Sequence, residues 1–495
     1  MKLIACKLAL SFLGLSIGLC LSCTEEKQET APAADKPVVV DTKQDETDPN
    51  VIAKIGDYTI SKKEFEKRFL MELRPNPYDL KSNLETPDAE EMLKKMIAEK
   101  AIVIEGRKQN LHEDESTQKV IKDFKEKKFV NSLLTSYLQG KIMVTNSEIE
   151  QLIKSEPKLE REQAKAKLVR AMSGKLLGKY YNELYKKFHV QKLSDNFFKA
   201  AQIHLRLLLH PKEPRKMGFI RLSQIKNELT AEEKNIALAS YDGGTITLKD
   251  WLDTLCEMSP PSRPKDLNTK TGVEKLLDRA LKMPIFVAEA KLQGLDKDKN
   301  VLQEAKDYED RIVLNKAKRE KTKDIKGPIA EEQIVAYFND NKELFGIQNM
   351  LKIDQIWCRN LKMARRAMAE LDEGKDFQAV KKAYSVTKTT KPINTYPGGE
   401  GIFFEDLWNG DPNEIVGPTK GFHGEGVKWR IVKILEKNPG KPKEYSSDLN
   451  SRIEMKILEQ QRFSTLKKLE QELLEKYTYE IYPERFRDID PLDIP

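Results

Sequence analysis

The chain has 495 residues, of which 33% are charged and 39% apolar, with a formal net charge of +7. That is long enough for three folded parts in a large, soluble, mostly helical protein. The charge balance is mild and no basic block carries interleaved aromatics, which argues against nucleic acid as a partner. No Gly-x-x-x-x-Gly-Lys-Ser/Thr, Gly-x-Ser-x-Gly or His-Glu-x-x-His occurs, and His112, His189, His204, His210 and His423 have no zinc-ligand spacing. Nucleotide, metal and hydrolytic chemistry therefore have no footing, and no cofactor is expected.

Lys2 and Lys7 precede an apolar run, Leu8 to Leu21, too short to span a bilayer and followed by small and polar residues. That is the pattern of a secretory signal. Its end, Leu19-Cys-Leu-Ser-Cys23, resembles a bacterial lipoprotein processing site, with Cys20 standing where Leu is usual. The resemblance implies removal of residues 1–22 and a lipid on Cys23, which would hold the protein on the periplasmic side of a membrane. The plain alternative is a soluble periplasmic protein. Thr24 lacks the Asp that, by the same resemblance, retains lipoproteins at the inner membrane, so the outer membrane is expected. Residues 23–50 are rich in Glu, Lys, Gln, Pro, Asp and Ala without an aromatic, and read as a disordered tether spanning about 30 Å.

The first scaffold, 51–200, opens with a strand and turn over Val51–Ile60, and Ser61 is placed to cap a helix in a capping box with Glu64. Helical patterns follow at Asp88–Gln109 and Glu115–Gly140, and Asn146 or Ser147 can cap a short helix. Arg161–Phe188 predicts one long amphipathic helix with Leu168, Met172, Leu176, Tyr180, Leu184 and Phe188 along one side. Val190–Leu193 reads as a closing strand. From Glu160 to Lys192 nine Lys or Arg face three Asp or Glu, a solvated helix face or a surface for acidic client segments or anionic lipid. Residues 201–236, with His210-Pro211 and Glu213-Pro214, read as a connector.

The plan then recurs. Ile60 and Phe65 match Ile246 and Trp251 at an offset of 186, and Val144–Ile149 matches Ile329–Ile334 at 185. Tyr181–Val190 matches Glu470–Tyr479 only at 289, so the second copy holds about 104 further residues, room for one small domain. The second scaffold is thus 237–345 and 444–495, closing with a helix at Leu449–Tyr477 and a strand at Tyr479–Tyr482.

The inserted segment, 346–443, alternates as a strand over Lys352–Cys358 and again over Trp429–Leu435. Met363–Leu371 and Phe377–Tyr384 have helical spacing, interrupted at Glu373-Gly-Lys, and Pro397-Gly-Gly399 breaks the chain. Glu373-Gly-Lys-Asp-Phe377, Ala383-Tyr-Ser385, Gly398-Gly-Glu-Gly401, Asn413-Glu-Ile-Val-Gly-Pro418 and Arg430–Leu435 together resemble a parvulin-type prolyl isomerase domain. The Gly-rich element is about one residue short of the family's pattern. Active members of that family place a histidine on the first strand, another on the last, and a Cys or Asp after the Tyr-Ser pair. Those positions correspond to Gln355, Arg430 and Thr387. Rotating an X-Pro bond requires a desolvated amide, and an Arg charge in the pocket opposes that. The resemblance therefore implies a degenerate isomerase kept for its shape, with no catalytic residue. Trp357, Phe403, Phe404, Leu407, Trp408 and Trp429 cluster in this segment, which holds three of the four tryptophans. Singly each reads as core, and as a group they suggest a peptide-binding surface.

The whole layout resembles the SurA, PrsA and PpiD group of exported foldases. It implies an α+β, mostly α fold: a duplicated helical chaperone module whose second copy is interrupted by a small antiparallel sheet with helices. The function expected is that of a membrane-tethered, ATP-independent periplasmic chaperone for unfolded exported or outer-membrane polypeptides, binding no nucleic acid or nucleotide. The alternatives are an active parvulin-type isomerase and a structural or host-interaction lipoprotein with a foldase-like shape. After processing Cys256 and Cys358 remain; a disulfide is open to them in an oxidising compartment, but isolated thiols usually just pack.

Overall fold

The computed structural model describes residues 48–75, 86–212, 218–387, 391–424 and 426–493. The signal segment, Cys23 and nearly all of the tether lie outside the described residues. Apolar alternation at the start makes a hairpin of β1 (Val51–Ile55) and β2 (Tyr58–Ser61), with Gly56 supplying the positive φ of the turn. Ser61 accepts from the Glu64 amide at 3.1 Å and starts α1 (Lys62–Leu73). Asp88 and Asp114 cap α2 (Ala89–Lys108) and α3 (Glu115–Leu138) in the same way. The cap of α4 (Asn146–Ser155) is Thr145 rather than Asn146 or Ser147. Its backbone is extended and its hydroxyl forms a full capping box with Glu148. Next come α5 (Arg161–Lys187) and β3 (Gln191–Lys192).

The stretch read as a connector is folded. It forms α6 (Phe197–Leu209), α7 (Leu222–Glu228) and α8 (Ala231–Lys234), and Ala201, Ile203, Leu207, Ile220, Ile225 and Leu229 are buried in the largest core. Its prolines obscured an apolar periodicity that the burial makes plain. The earlier order of elements then reappears: β4 (Ala237–Tyr241), β5 (Gly244–Thr247), α9 (Leu248–Glu257), α10 (Lys270–Leu292), α11 (Lys299–Thr322) and α12 (Glu331–Asp340).

A four-stranded unit follows, with β6 (Met350–Cys358), α13 (Leu361–Asp372), α14 (Phe377–Tyr384), β7 (Ile393–Thr395), α15 (Pro397–Glu400), α16 (Phe404–Trp408), β8 (Ile415–His423) and β9 (Gly426–Asn438). Its antiparallel sheet runs β7-β6-β9-β8. The chain closes with α17 (Asn450–Lys476) and β10 (Tyr479–Ile481). The fold is α+β and mostly helical, its sheets small and antiparallel.

The two closing strands are exchanged. β3 pairs with β4 (Lys192 opposite Ala239), whereas β10 pairs with β1 (Ala53 opposite Ile481). The helices before them follow: α17 packs on α2, and α5 on α10. One core joins Ile52, Phe65, Leu93 and Ile97 to Leu473 and Phe486; another joins Tyr180, Leu184 and Phe188 to Leu238, Trp251, Leu276 and Leu281. α3 and α11 cross over as well. A Cβ on Gly106 of α2 would come within 2.6 Å of Val313 on α11, so glycine permits that approach. Beside it Arg107 bonds Asp310 at 2.6 Å and Glu309 at 2.9 Å.

In the larger core His204 meets the Trp251 ring edge-on at 6.1 Å and its Nδ1 has no hydrogen-bond partner. Burial, with Arg263 nearby, pushes its pKa down to about 4 from 6.5. The unfolded chain thus binds a proton that the folded one refuses, and stability is complete above pH 6.5 and lost as pH falls toward 4. We expect a loss of about 3 kcal/mol over that window, absent in His204→Leu, measured as urea midpoints against pH. A second expectation follows from the exchange. Phe486→Ala removes a side chain 5.6 Å from Phe65 and should cost about 3–5 kcal/mol. Amide exchange should accelerate in β1 and α2 and not in β4 and α9, and the opposite pattern would refute the pairing.

Candidate functional site

Strand alternation sorts the side chains of β6 to two faces. Asp354, Ile356 and Cys358 point toward α13 and α14, where Ala364, Ala367, Phe377 and Val380 complete a core. Gln355 and Trp357 point the other way, and Trp357 lies opposite Arg430 of β9. Along the same face Leu351, Ile353, Val432 and Ile434 pack on Phe404 and Leu407.

Arg430 is 1% exposed. Its Nη2 donates to Glu400 at 2.6 Å and its Nη1 to the Gln355 Oε1 at 3.1 Å. The guanidinium lies 5.1 Å from the Trp357 ring centre, and Gly421 presses on its other side, where a Cβ would sit 2.4 Å from Nε. Glu400 also accepts from Thr395 Oγ1 at 2.8 Å. The Pro397-Gly-Gly break is a single helical turn that Gly401 ends at φ +57°, and the turn delivers Glu400 beneath the sheet. Sequence reading missed Glu400, although it occupies the Gly-rich element that departs from the family's spacing. A second buried pair, Lys381 with Asp354, also takes a bond from Gln378 at 2.7 Å.

Above these pairs is a cavity of about 300 Å³. Trp357, Phe422 and Ile393 form its apolar walls, with Gln355, Thr387, Lys381, Lys391, His423 and Gly424 as its polar lining. Of the three positions read as replaced catalytic sites, Gln355 and Thr387 reach the cavity and Arg430 is tucked behind Trp357. Of the six aromatic and apolar candidates, Trp357 alone lines it. Phe403 backs the wall, 5.2 Å from Phe422. Phe404 and Leu407 are core, and Trp408 stacks on Phe404 at 5.7 Å with Lys437 over its ring. Trp429 is on the opposite face, against the α13 and α14 core. Strand periodicity could have separated Trp357 from Trp429, since they belong to opposite-facing positions. Burial and the charge of Lys428 hold His423 below its ordinary pKa, so its ring is neutral near pH 7. Arg74, just after α1, donates to the Gly424 carbonyl at 2.7 Å, and Lys420 pairs with Asp493, which fixes the β8–β9 hairpin on the helical part.

No known protein-family profile matches the chain. It is 25% identical over 219 residues to YacD of Bacillus subtilis, a protein provisionally named a peptidyl-prolyl cis-trans isomerase, covering 42% of this chain and 71% of that one. It is 24% identical over 233 residues to the foldase protein PrsA of Caldanaerobacter subterraneus, covering 43% and 72%. Over those stretches the chain is similar in sequence to one protein named an isomerase and one named a foldase. Among solved structures, a match to the pair of SurA-like chaperones PEB4 and Cj1289 of Campylobacter jejuni has 16% identity and a TM-score of 0.24, covering 49% of this chain and 98% of that one.

Breaking the buried Arg430–Glu400 pair leaves one charge without its partner. Glu400→Ala strands the Arg430 charge and should cost about 3–5 kcal/mol, while Glu400→Leu with Arg430→Met should cost far less. Urea unfolding followed by tryptophan fluorescence distinguishes the two, and equal losses would show that the charge pairing is not what matters.

Proposed function

We propose that the protein is an ATP-independent chaperone for unfolded exported polypeptides, held on the periplasmic side of a membrane by lipid on Cys23, with the outer membrane as the favoured site. Its 346–443 domain holds extended peptide and does not catalyse prolyl isomerisation. The observation that carries the second part is Arg430. It stands where active parvulins are expected to hold a histidine, and it is buried and spent on Glu400 and Gln355. The cavity above it offers amide, hydroxyl and ammonium groups rather than a dry pocket in which an amide could twist.

The similarity to proteins named as foldases and chaperones supports a polypeptide client. So does the surface. Phe198, Leu205 and Leu209 on α6 and Leu222 on α7 are exposed, Phe198 to 61%, beside the core that the same helices close. Met455 and Phe463 are likewise exposed on α17. Weak apolar contacts dispersed over one chain hold an unfolded client through effective concentration, and the client leaves when its own folding is the more favourable. The duplication of the helical module read in the sequence accords with the recurring order of elements and provides two such surfaces.

The tests are aggregation and isomerisation. Near-equimolar protein should suppress light scattering by several unrelated unfolded proteins without ATP, and Phe198→Ser with Leu209→Ser should weaken this without lowering the unfolding midpoint. Isomerisation of a Pro-containing peptide should keep its uncatalysed barrier of about 18–20 kcal/mol. Acceleration that Gln355→Ala abolishes would make the protein an enzyme. Binding of one folded partner with no suppression would make it a structural or host-interaction lipoprotein.

A further inference from the structure

Three of the polar side chains that face the cavity, Gln355, Lys381 and Lys391, present N–H donors. Gln355 Oε1 is taken by Arg430 at 3.1 Å, which leaves its amide hydrogens as the end free to bond a guest. Thr387 adds a hydroxyl and Lys391 an ammonium. No carboxylate lines the cavity among the described residues. The two acids nearest to it are consumed, Asp354 by Lys381 and Gln378, and Glu400 by Arg430 and Thr395. Those pairs are neutral as units. Lys391 forms no ion pair with a described residue, so among the described residues the lining carries one unpaired ammonium and no carboxylate. Trp357 and Phe422 give it apolar walls.

We propose that this cavity selects an acidic residue, Asp or Glu, within an extended apolar segment of the client. It rests on the peptide-holding reading above and adds a side-chain preference to it. A carboxylate is acceptor-only and suits the amide hydrogens of Gln355 and the ammonium of Lys391, whereas a client ammonium meets the like charge of Lys391. The flanking apolar residues of the client rest on Trp357 and Phe422. Clients rich in acidic residues would thereby be held at the 346–443 domain while their apolar stretches rest on the helices.

The test is fluorescence anisotropy of the full chain with short, end-blocked, labelled peptides identical except for a central Asp, Asn or Lys between Phe and Ala. The Asp peptide should bind about tenfold more tightly than the Asn one, the ratio that accompanies one charge-assisted hydrogen bond. The Lys peptide should bind more weakly than either, and added salt should erode the Asp advantage. Lys391→Glu, an exposed substitution, should reverse the order of Asp and Lys while leaving the unfolding midpoint in place. Equal binding of Asp and Asn, or an order untouched by Lys391→Glu, would overturn the charge preference and leave the peptide-holding reading standing. Binding of none of the three would remove both. Binding only of a peptide with a free carboxyl terminus would replace the acidic side chain by a chain end.

Discussion

The pairing of β10 with β1 is the constraint on which the remainder of the fold rests. An opening hairpin has one edge with unpaired amides and carbonyls, and a half-covered apolar face, and neither is stable in water alone. The strand that satisfies that edge comes from the far end of the chain, with α17 laid over α2 and Phe486 against Phe65. The second hairpin is completed by β3 and α5 from the first half. Neither half therefore owns a complete core. The crossing of α11 onto α2, and of α3 onto α10, locks the arrangement with close packing at Gly106 and the Arg107 carboxylate cluster.

The four-stranded unit contacts this frame through its β8–β9 hairpin, where Arg74 meets the Gly424 carbonyl and Lys420 meets Asp493. Its interior uses charge in place of a dry pocket. Arg430 with Glu400, and Lys381 with Asp354, are buried ion pairs on opposite faces of the sheet. Pairs of this kind add little net stability, since desolvation offsets most of the Coulomb energy. What they do is fix geometry: Arg430 positions Trp357 and Gln355, and Lys381 ties α14 to β6. A pocket built beside such pairs has a set orientation of its polar groups.

Much of this was legible in the sequence because it depends on local rules. Apolar spacing gave α5 and α17 to within a residue or two, and Phe377–Tyr384 coincided with a helix of the structure. The exchange of closing strands was not legible. β1 and β4 present the same alternation, Ile52-Ala53 against Leu238-Ala239, and a strand edge carries no side-chain label naming its partner. The folded state of residues 197–234 was hidden because prolines mark breaks more loudly than Ala201, Ile203 and Leu207 mark a buried face. At the site, Gln355, Thr387 and Arg430 were singled out in the sequence, and the first two line the cavity. The role of Glu400 could not, because it depends on a one-turn helix that a Gly-rich motif does not announce.

Arg485 donates to the carbonyl of Val51 across 434 positions of sequence, beside the strand pair that seals the first core. A chain delivered from its amino end therefore exposes Ile52, Phe65 and Leu93 first and covers them last. Through nearly the whole of its own synthesis the opening hairpin waits as a bare apolar surface with an open edge. Closure of the first core is timed by the emergence of the final helix and strand.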